Sequence, residues 1–231
     1  MTEVTVISLG GSIVAPDRVD VLFLRQFKTI VDDYLEKDAG RKLILVVGGG
    51  GPARLYQKAY REIAEKPEVE TEDWIGIAAT RLNAQLLFSI FKEYSREEIV
   101  TDPTSVEVFT GRLLVAAGWK PGFSTDYDAV LLAERFNARI VVNLSNIAQV
   151  YSADPKSDPA ARPIDKISWK EFQSIVGDKW IPGKNVPFDP IATKQAARIN
   201  LTVIVAAGKN IDNIKAILEG RDFEGTVIGP Q

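Results

Sequence analysis

The sequence predicts an α/β fold with a mostly parallel sheet, and three observations carry that prediction. Short apolar, β-branched runs alternate with segments of helical periodicity along the chain. The runs are continuously apolar, as in strands covered on both faces. Glycine-rich stretches follow the first two runs, at the strand ends where open α/β sheets bind ligands.

The elements follow in order. Val4 to Leu9 reads as a strand ending in Gly10-Gly11-Ser12. Asp20 to Glu36 reads as a helix, with Leu24, Phe27, Val31 and Tyr34 at helical spacing. Lys42 to Val47 is a second strand that runs into Gly48-Gly49-Gly50-Gly51. Pro52 suits the first turn of a helix, which continues from Ala53 to Ala64. Thr71 opens another helix with acidic residues in its first turn and an apolar stripe of Ile75, Ala79, Leu82, Leu86 and Ile90. Leu113 to Ala117 is a strand, followed by the loop GWKPGFSTD and a helix from Ala129 to Phe136. Arg139 to Leu144 is a buried strand. The Pro- and Asp-rich excursion QVYSADPKSDPAARPID comes next. Trp169 to Val176, Asp189 to Ile199 and Ile211 to Leu218 read as helices, and Leu201 to Ala206 and Thr226 to Ile228 as strands.

No long flexible linker or internal repeat interrupts this pattern, so the 231 residues are treated as a single domain. A net charge of -3 argues against a general nucleic-acid surface. No apolar run is long enough to span a membrane, and the N-terminal stretch lacks the character of a signal peptide, so a cytoplasmic protein is expected. The chain contains no Cys, which excludes disulfides, thiol catalysis and thiolate metal sites. It contains no His, which removes the commonest general base and transition-metal ligand. Carboxylates, amines, guanidinium groups, hydroxyls and the backbone remain, together with a hard cation such as Mg2+.

Two readings of the four consecutive glycines stand open: a tight strand-to-helix corner, or a backbone that approaches a ligand closely. Glycine loops expose N–H groups and suit phosphate, but GGGGPARL lacks the Lys-Ser/Thr of a Walker A loop and no dinucleotide fingerprint is present. Asp73, Gly76, Thr80 and Asn83 share one helix face, either a solvated stripe or a polar surface for a sugar or base.

The segments SLGGSIV, VVGGGGPAR, DWIGIAATRLNAQLL, PGFSTDYDAVLLAE, LSNIAQVYSADPK and FDPIATKQA, in this order, resemble the amino-acid-kinase family, most closely its uridylate kinase branch in archaeal-type members. The resemblance covers nearly the whole chain. It implies a three-layer αβα sandwich around a mostly parallel sheet of about eight strands, with residues 1–137 holding the acceptor and 138–231 holding ATP. It implies ATP-dependent conversion of UMP to UDP, Mg2+ carried on the ATP phosphates with no direct protein metal ligand, and a homo-oligomer, a hexamer favoured. By the same resemblance Ser8, Gly10, Gly11, Ser12, Gly50, Arg54, Ser145, Asn146, Tyr151 and Asp154 contact ATP. Gly49, Asp73, Trp119, Lys120, Pro121, Gly122, Phe123, Ser124 and Thr125 contact UMP, and Asp189 organises the catalytic centre. The alternatives are a nucleotide-binding or storage-type member of the fold with weak or no turnover, and a kinase for another small phosphate or carboxylate.

Three positions depart from the family pattern. The lysine common before the first glycine pair is Ser8, and the second glycine loop has Gly51 and Pro52 where some archaeal-type members carry a lysine. Lys120 is the candidate replacement, with Arg54 beside it in the catalytic set and Lys184 and Lys194 as further cations. Ala148 and Gln149 replace an Asp-Gly pair, and Gln tolerates a left-handed turn less well than Gly. Asp128 lies two residues from Asp126, so the pair either caps the following helix, the favoured reading, or holds Mg2+.

Overall fold

A computed structural model describes residues 3–153, 158–177 and 186–230. The first half of the chain alternates strands and helices: β1 (Glu3–Leu9), α1 (Gly11–Val14), α2 (Val21–Glu36), β2 (Arg41–Val47), α3 (Gly50–Ile63), α4 (Val69–Ile90) and β3 (Leu113–Ala116). There follow α5 (Thr125–Arg135), β4 (Ile140–Ser145), β5 (Val150–Tyr151), β6 (Pro163–Ile164), β7 (Lys166–Ser168) and α6 (Trp169–Val176). The chain closes with α7 (Pro190–Arg198), β8 (Thr202–Ala207), α8 (Ile211–Leu218) and β9 (Thr226–Gly229).

Seven strands form one sheet in the order β3-β2-β1-β4-β8-β9-β7, and β5 and β6 form a separate antiparallel pair. Every pairing in the large sheet is parallel except β8 with β9. Among the described residues the sheet has seven strands, in keeping with the mostly parallel sheet of about eight that was expected. The Pro- and Asp-rich excursion supplies the small ribbon, in pieces too short and too poor in β-formers to read from sequence.

Alternation along each strand builds the layers. Ile7, Leu43, Leu45, Val115, Val142 and Ile204 face one way and pack against Phe27 and Val31 of α2, Leu87 of α4 and Ile214 of α8. Val6, Ile44, Leu114, Val141 and Val203 face the other way, against Val130 of α5, Phe172 of α6 and Ala196 of α7. The helices start where the sequence offers caps. Asp20 accepts the Phe23 N–H (3.0 Å) at α2, Ser168 and Glu171 form a capping box at α6, and Asp189 caps α7 ahead of Pro190. No helix among the described residues is long and apolar enough to cross a membrane.

The α4 stripe is out of phase with the expected one. Leu82 is 66% exposed, while Ile77, Thr80, Asn83, Ala84 and Leu87 are the buried residues. Two of these are polar, so a hydropathy pattern cannot find the inward face. Helix α5 begins four residues before Ala129, because Ser124 caps it by accepting the Tyr127 N–H (3.3 Å). Asp128 therefore does not cap this helix, contrary to the favoured reading. Gln149 is also unstrained: among the described residues the only non-glycine positive φ angles are at Asn137 and Asn200. Its amide instead donates to Asp165 (3.3 Å) and to the Gly225 carbonyl (3.2 Å).

Candidate active site

Parallel strands β1, β2, β3 and β4 deliver their carboxyl ends to one edge of the sheet, and a cleft of about 220 Å³ opens there. Its lining includes Ser8, Gly10, Gly11, Ser12, Gly48, Thr125, Asp126, Asn143, Ser145 and Asn146. A larger hollow of about 510 Å³ lies at the amino ends of β4 and β8, beside Glu134, Asn137, Arg139 and Thr202. It holds none of the expected site residues and sits at the end of the strands where α/β sheets do not bind ligands.

The two glycine loops meet backbone to backbone. A Cβ on Gly11 would overlap Gly50 N and the Gly48 carbonyl, and Gly50 has φ +66 with its own Cβ direction filled by Gly11 O. The protein itself thus occupies the space that these glycines clear. The N–H groups of Gly10, Gly48 and Gly51 are already committed to Leu144 O (2.8 Å), Leu9 O (3.0 Å) and Ala15 O (2.7 Å). Arg54 reaches back to the Pro16 carbonyl (2.9 Å) and is not part of the cleft lining.

An acidic group forms the far wall. Ser8 Oγ donates to Asp126 Oδ1 (2.8 Å), and the Asp189 N–H donates to Asp126 Oδ2 (3.4 Å). Asp126 keeps some exposure to the cleft, yet its carboxyl is enclosed enough that burial, with the Asp189 charge adding, pushes its pKa up to about 6. Asp189 accepts the N–H groups of Ile191 and Ala192 (both 2.8 Å). Burial raises its pKa, and those two bonds oppose the rise. Asp128 is fully buried: Oδ2 accepts the Trp119 N–H (3.2 Å), and Oδ1 has no partner. Burial, with Asp126 and Asp102 adding, pushes its pKa up to about 7. Among the described residues lining the cleft there is no Lys or Arg.

The loop from Gly118 to Ser124 is held by side chains. Thr80 Oγ1 accepts the Gly118 N–H (2.8 Å), Asp128 the Trp119 N–H, and Asp73 Oδ2 the Gly122 N–H (2.9 Å). Trp119, Phe123 and Tyr127 stack in sequence, with centroids 5.3 and 4.8 Å apart. Lys120 is exposed, with Nζ 3.8 Å from the Trp119 ring centroid, outside the cleft. Pro121 completes this loop, and Thr125 alone of the residues expected at UMP reaches the cleft lining. Tyr151 lies on the β5–β6 ribbon. Asp154 and Lys184 lie outside the described residues, and Lys194 sits on α7.

Two residues that build the cleft, Asn143 and Asp126, stand outside the expected nucleotide-binding and catalytic residues. Asn143 is a lone amide inside an apolar strand, 4% exposed, and its Nδ2 donates to the Pro187 carbonyl (3.0 Å). That isolation was a usable signal. Asp126 is read from sequence only with Asp128, as a helix cap or a Mg2+ holder, since an acid in a first helical turn is ordinary helix chemistry; its contact with Ser8, 118 residues away, leaves no local signal. Among the described residues no group of three or more Asp or Glu is placed to hold a metal alone. The oxygen donors of Asp126, Ser8, Ser12 and Thr125 nevertheless suit a hard cation carried mainly by a ligand's phosphates.

Glycine loops at the carboxyl ends of adjacent parallel strands, with hydroxyls and amides around a cleft, define an α/β protein suited to phosphate-bearing ligands. Residues 3–207 match the model of the amino acid kinase family, and the chain belongs to that family. It is 34% identical over 226 residues to the uridylate kinase of Methanospirillum hungatei, spanning 96% of this chain and 93% of that protein. It is 35% identical over 233 residues to that of Methanocorpusculum labreanum, spanning 99% and 96%. The crystal structure of uridylate kinase from Archaeoglobus fulgidus superposes with a TM-score of 0.83 at 35% identity, covering 97% of this chain and 99% of that one. UMP kinase from Bacillus anthracis, at 19% identity and a TM-score of 0.77, shares the fold.

Proposed function

We propose that the protein is a uridylate kinase that transfers the γ-phosphoryl group of ATP to UMP. The observation that carries this reading is identity of about one third, along nearly the full chain, to several archaeal uridylate kinases. A UMP phosphate oxygen attacks the γ-phosphorus, the bond to the β-phosphate oxygen breaks, and UDP and ADP leave. The attacking oxygen is already anionic at neutral pH, so no base is required and the lack of His costs nothing.

Ser8 to Ser12 and Gly50 face the ATP phosphates, Ser145 and Asn146 the rest of ATP, and Gly49 and Asp73 face UMP. Residues 1–137 hold the acceptor and also lend their glycine loops to the ATP phosphates, and residues 138–231 hold the rest of ATP. Asp73 exchanges the Gly122 N–H for a ribose hydroxyl. Lys120 leaves the Trp119 ring for the acceptor phosphate. Asp126 would hold a Mg2+ ion borne by ATP, whose chemistry would be to neutralise phosphate charge, and Asp189 holds α7 against this wall.

The apolar residues Leu55, Tyr56 and Ile63 on α3 and Val69, Trp74 and Leu82 on α4 are between 45% and 83% exposed, and α3 buries none of its residues. Such a face supports a homo-oligomer, a hexamer by resemblance, which light scattering would test. The reading places the enzyme in the cytoplasm.

A coupled ADP-release assay with ATP, Mg2+ and a panel of UMP, dUMP, CMP, GMP and isopentenyl phosphate tests the function. Turnover selective for UMP is expected. The absence of Lys and Arg from the described cleft lining favours a second reading, nucleotide binding without turnover, which the same assay separates.

A further inference from the structure

The polar face of α4 is neither a solvated stripe nor free to take a sugar along its length, because its buried members are engaged with the loops. Asn83 is 3% exposed, and its Nδ2 donates to both the Gly48 carbonyl (2.8 Å) and the Gly49 carbonyl (3.2 Å). Both partners are acceptors only, so the amide orientation is fixed by chemistry. In a planar trans peptide the C=O and the N–H point in opposite directions, and no cis bond is present among the described residues. The Gly48 carbonyl shares its peptide with the Gly49 N–H, and the Gly49 carbonyl shares its peptide with the Gly50 N–H. Capturing both carbonyls on the α4 side therefore turns both N–H groups away from α4. Gly11, which lines the cleft, packs against Gly48 and Gly50.

The described cleft lining holds no Lys or Arg, and Gly10, Gly48 and Gly51 have their N–H groups committed elsewhere. The aim of the Gly49 and Gly50 N–H groups then matters more than it would beside a cation. Thr80, one turn earlier on α4, holds the Gly118 N–H (2.8 Å) in the neighbouring loop. One buried helix face thus sets two loops that follow adjacent strands.

We propose that Asn83 is a positioning residue for phosphate recognition, which acts by turning the Gly49 and Gly50 N–H groups toward the substrate phosphates. The inference rests on the kinase reading above, because it requires phosphates at the second glycine loop.

The test is equilibrium binding of UMP and ATP, and of uridine and adenosine as their phosphate-free counterparts, to the unmodified chain and to Asn83→Asp. The variant keeps the side-chain shape but replaces the donor with an acceptor that repels both carbonyls. Hydrogen bonds to charged groups set the expected loss for UMP and ATP at roughly 10- to 100-fold, with the two nucleosides unchanged. Affinity for the nucleotides should recover as pH falls through the new carboxyl's titration, since the protonated acid regains one donor. A loss shared equally by nucleosides, or nucleotide affinity within about 2-fold of the unmodified chain, would overturn the proposal. If Asn83→Asp does not fold, Asn83→Ser is measured in the same way, with the same two outcomes. Failure of the unmodified chain to bind either nucleotide overturns the kinase reading itself and is a separate result.

Discussion

The glycine corner and the loop from Gly118 to Ser124 lie side by side above adjacent strands, yet they are held by opposite means. The corner is backbone against backbone, with Gly11 fitted onto Gly48 and Gly50 so closely that a methyl group has no room. The neighbouring loop is an aromatic stack pinned by three side-chain acceptors, Thr80, Asp128 and Asp73. A contact between main chains cannot adjust without moving strands, whereas a loop held by hydrogen bonds can exchange partners. The corner is therefore the fixed part of this edge of the sheet, and the loop is the part free to exchange partners, which is what the proposed acceptor role requires of it.

Gly11→Ala would break the corner and gives the largest expected effect. Its methyl group meets backbone atoms on two sides, so a cost on the order of 4–5 kcal/mol and a fall in Tm of roughly 10 °C or more are expected by calorimetry, with ATP binding lost. Lys120→Ala probes the charge carried by the responsive loop. Loss of one preorganised electrostatic contact predicts a fall in kcat/KM of roughly 100- to 1000-fold with Tm little changed. A near-normal rate would assign the cation's role elsewhere.

The Asp128 pin predicts a pH dependence. Its folded pKa of about 7, and that of Asp126 at about 6, lie above ordinary carboxylate values. The folded state therefore holds these protons more tightly than the unfolded chain. This contribution is fully present below about pH 4 and is lost as pH rises through 6 to 7. Denaturant unfolding in metal-free buffer should show lower stability at pH 8 than at pH 5, by on the order of a few kcal/mol, with the difference reduced in Asp128→Asn. The ion-paired Glu219, lowered to about 2, changes stability in the opposite sense but only below that window.

The smallest expected effect is Gly122→Ala, a matched contrast to Gly11→Ala. Gly122 has φ +83 with nothing near its Cβ direction, so only backbone strain of about 1–2 kcal/mol applies. Equal losses in the two alanine variants would dissolve the contrast between corner and loop.

Much of this architecture was legible beforehand, because apolar runs, caps and glycine corners are local signals. Trp169–Val176 and Ile211–Leu218 matched their expected bounds, and Asp189 was found where α7 is capped. The inward face of α4 was not legible, since Thr80 and Asn83 are buried against loop backbone, and hydropathy scores them as outward. The four-residue α1 and the two-residue ribbon strands fall below the length at which periodicity speaks. The glycines are plain in the sequence, but their tight fit to one another depends on the ends of β1 and β2, Leu9 and Val47, lying next to each other in the sheet, a pairing that no local pattern records.

The central claim is that this cleft moves a phosphoryl group from one nucleotide to another. Phosphorus-31 NMR of the protein with ATP, UMP and Mg2+ follows that transfer directly. The account predicts paired growth of the UDP and ADP signals as ATP and UMP decline. ADP with free inorganic phosphate and no UDP, or an unchanged mixture in which both nucleotides are bound, would contradict it.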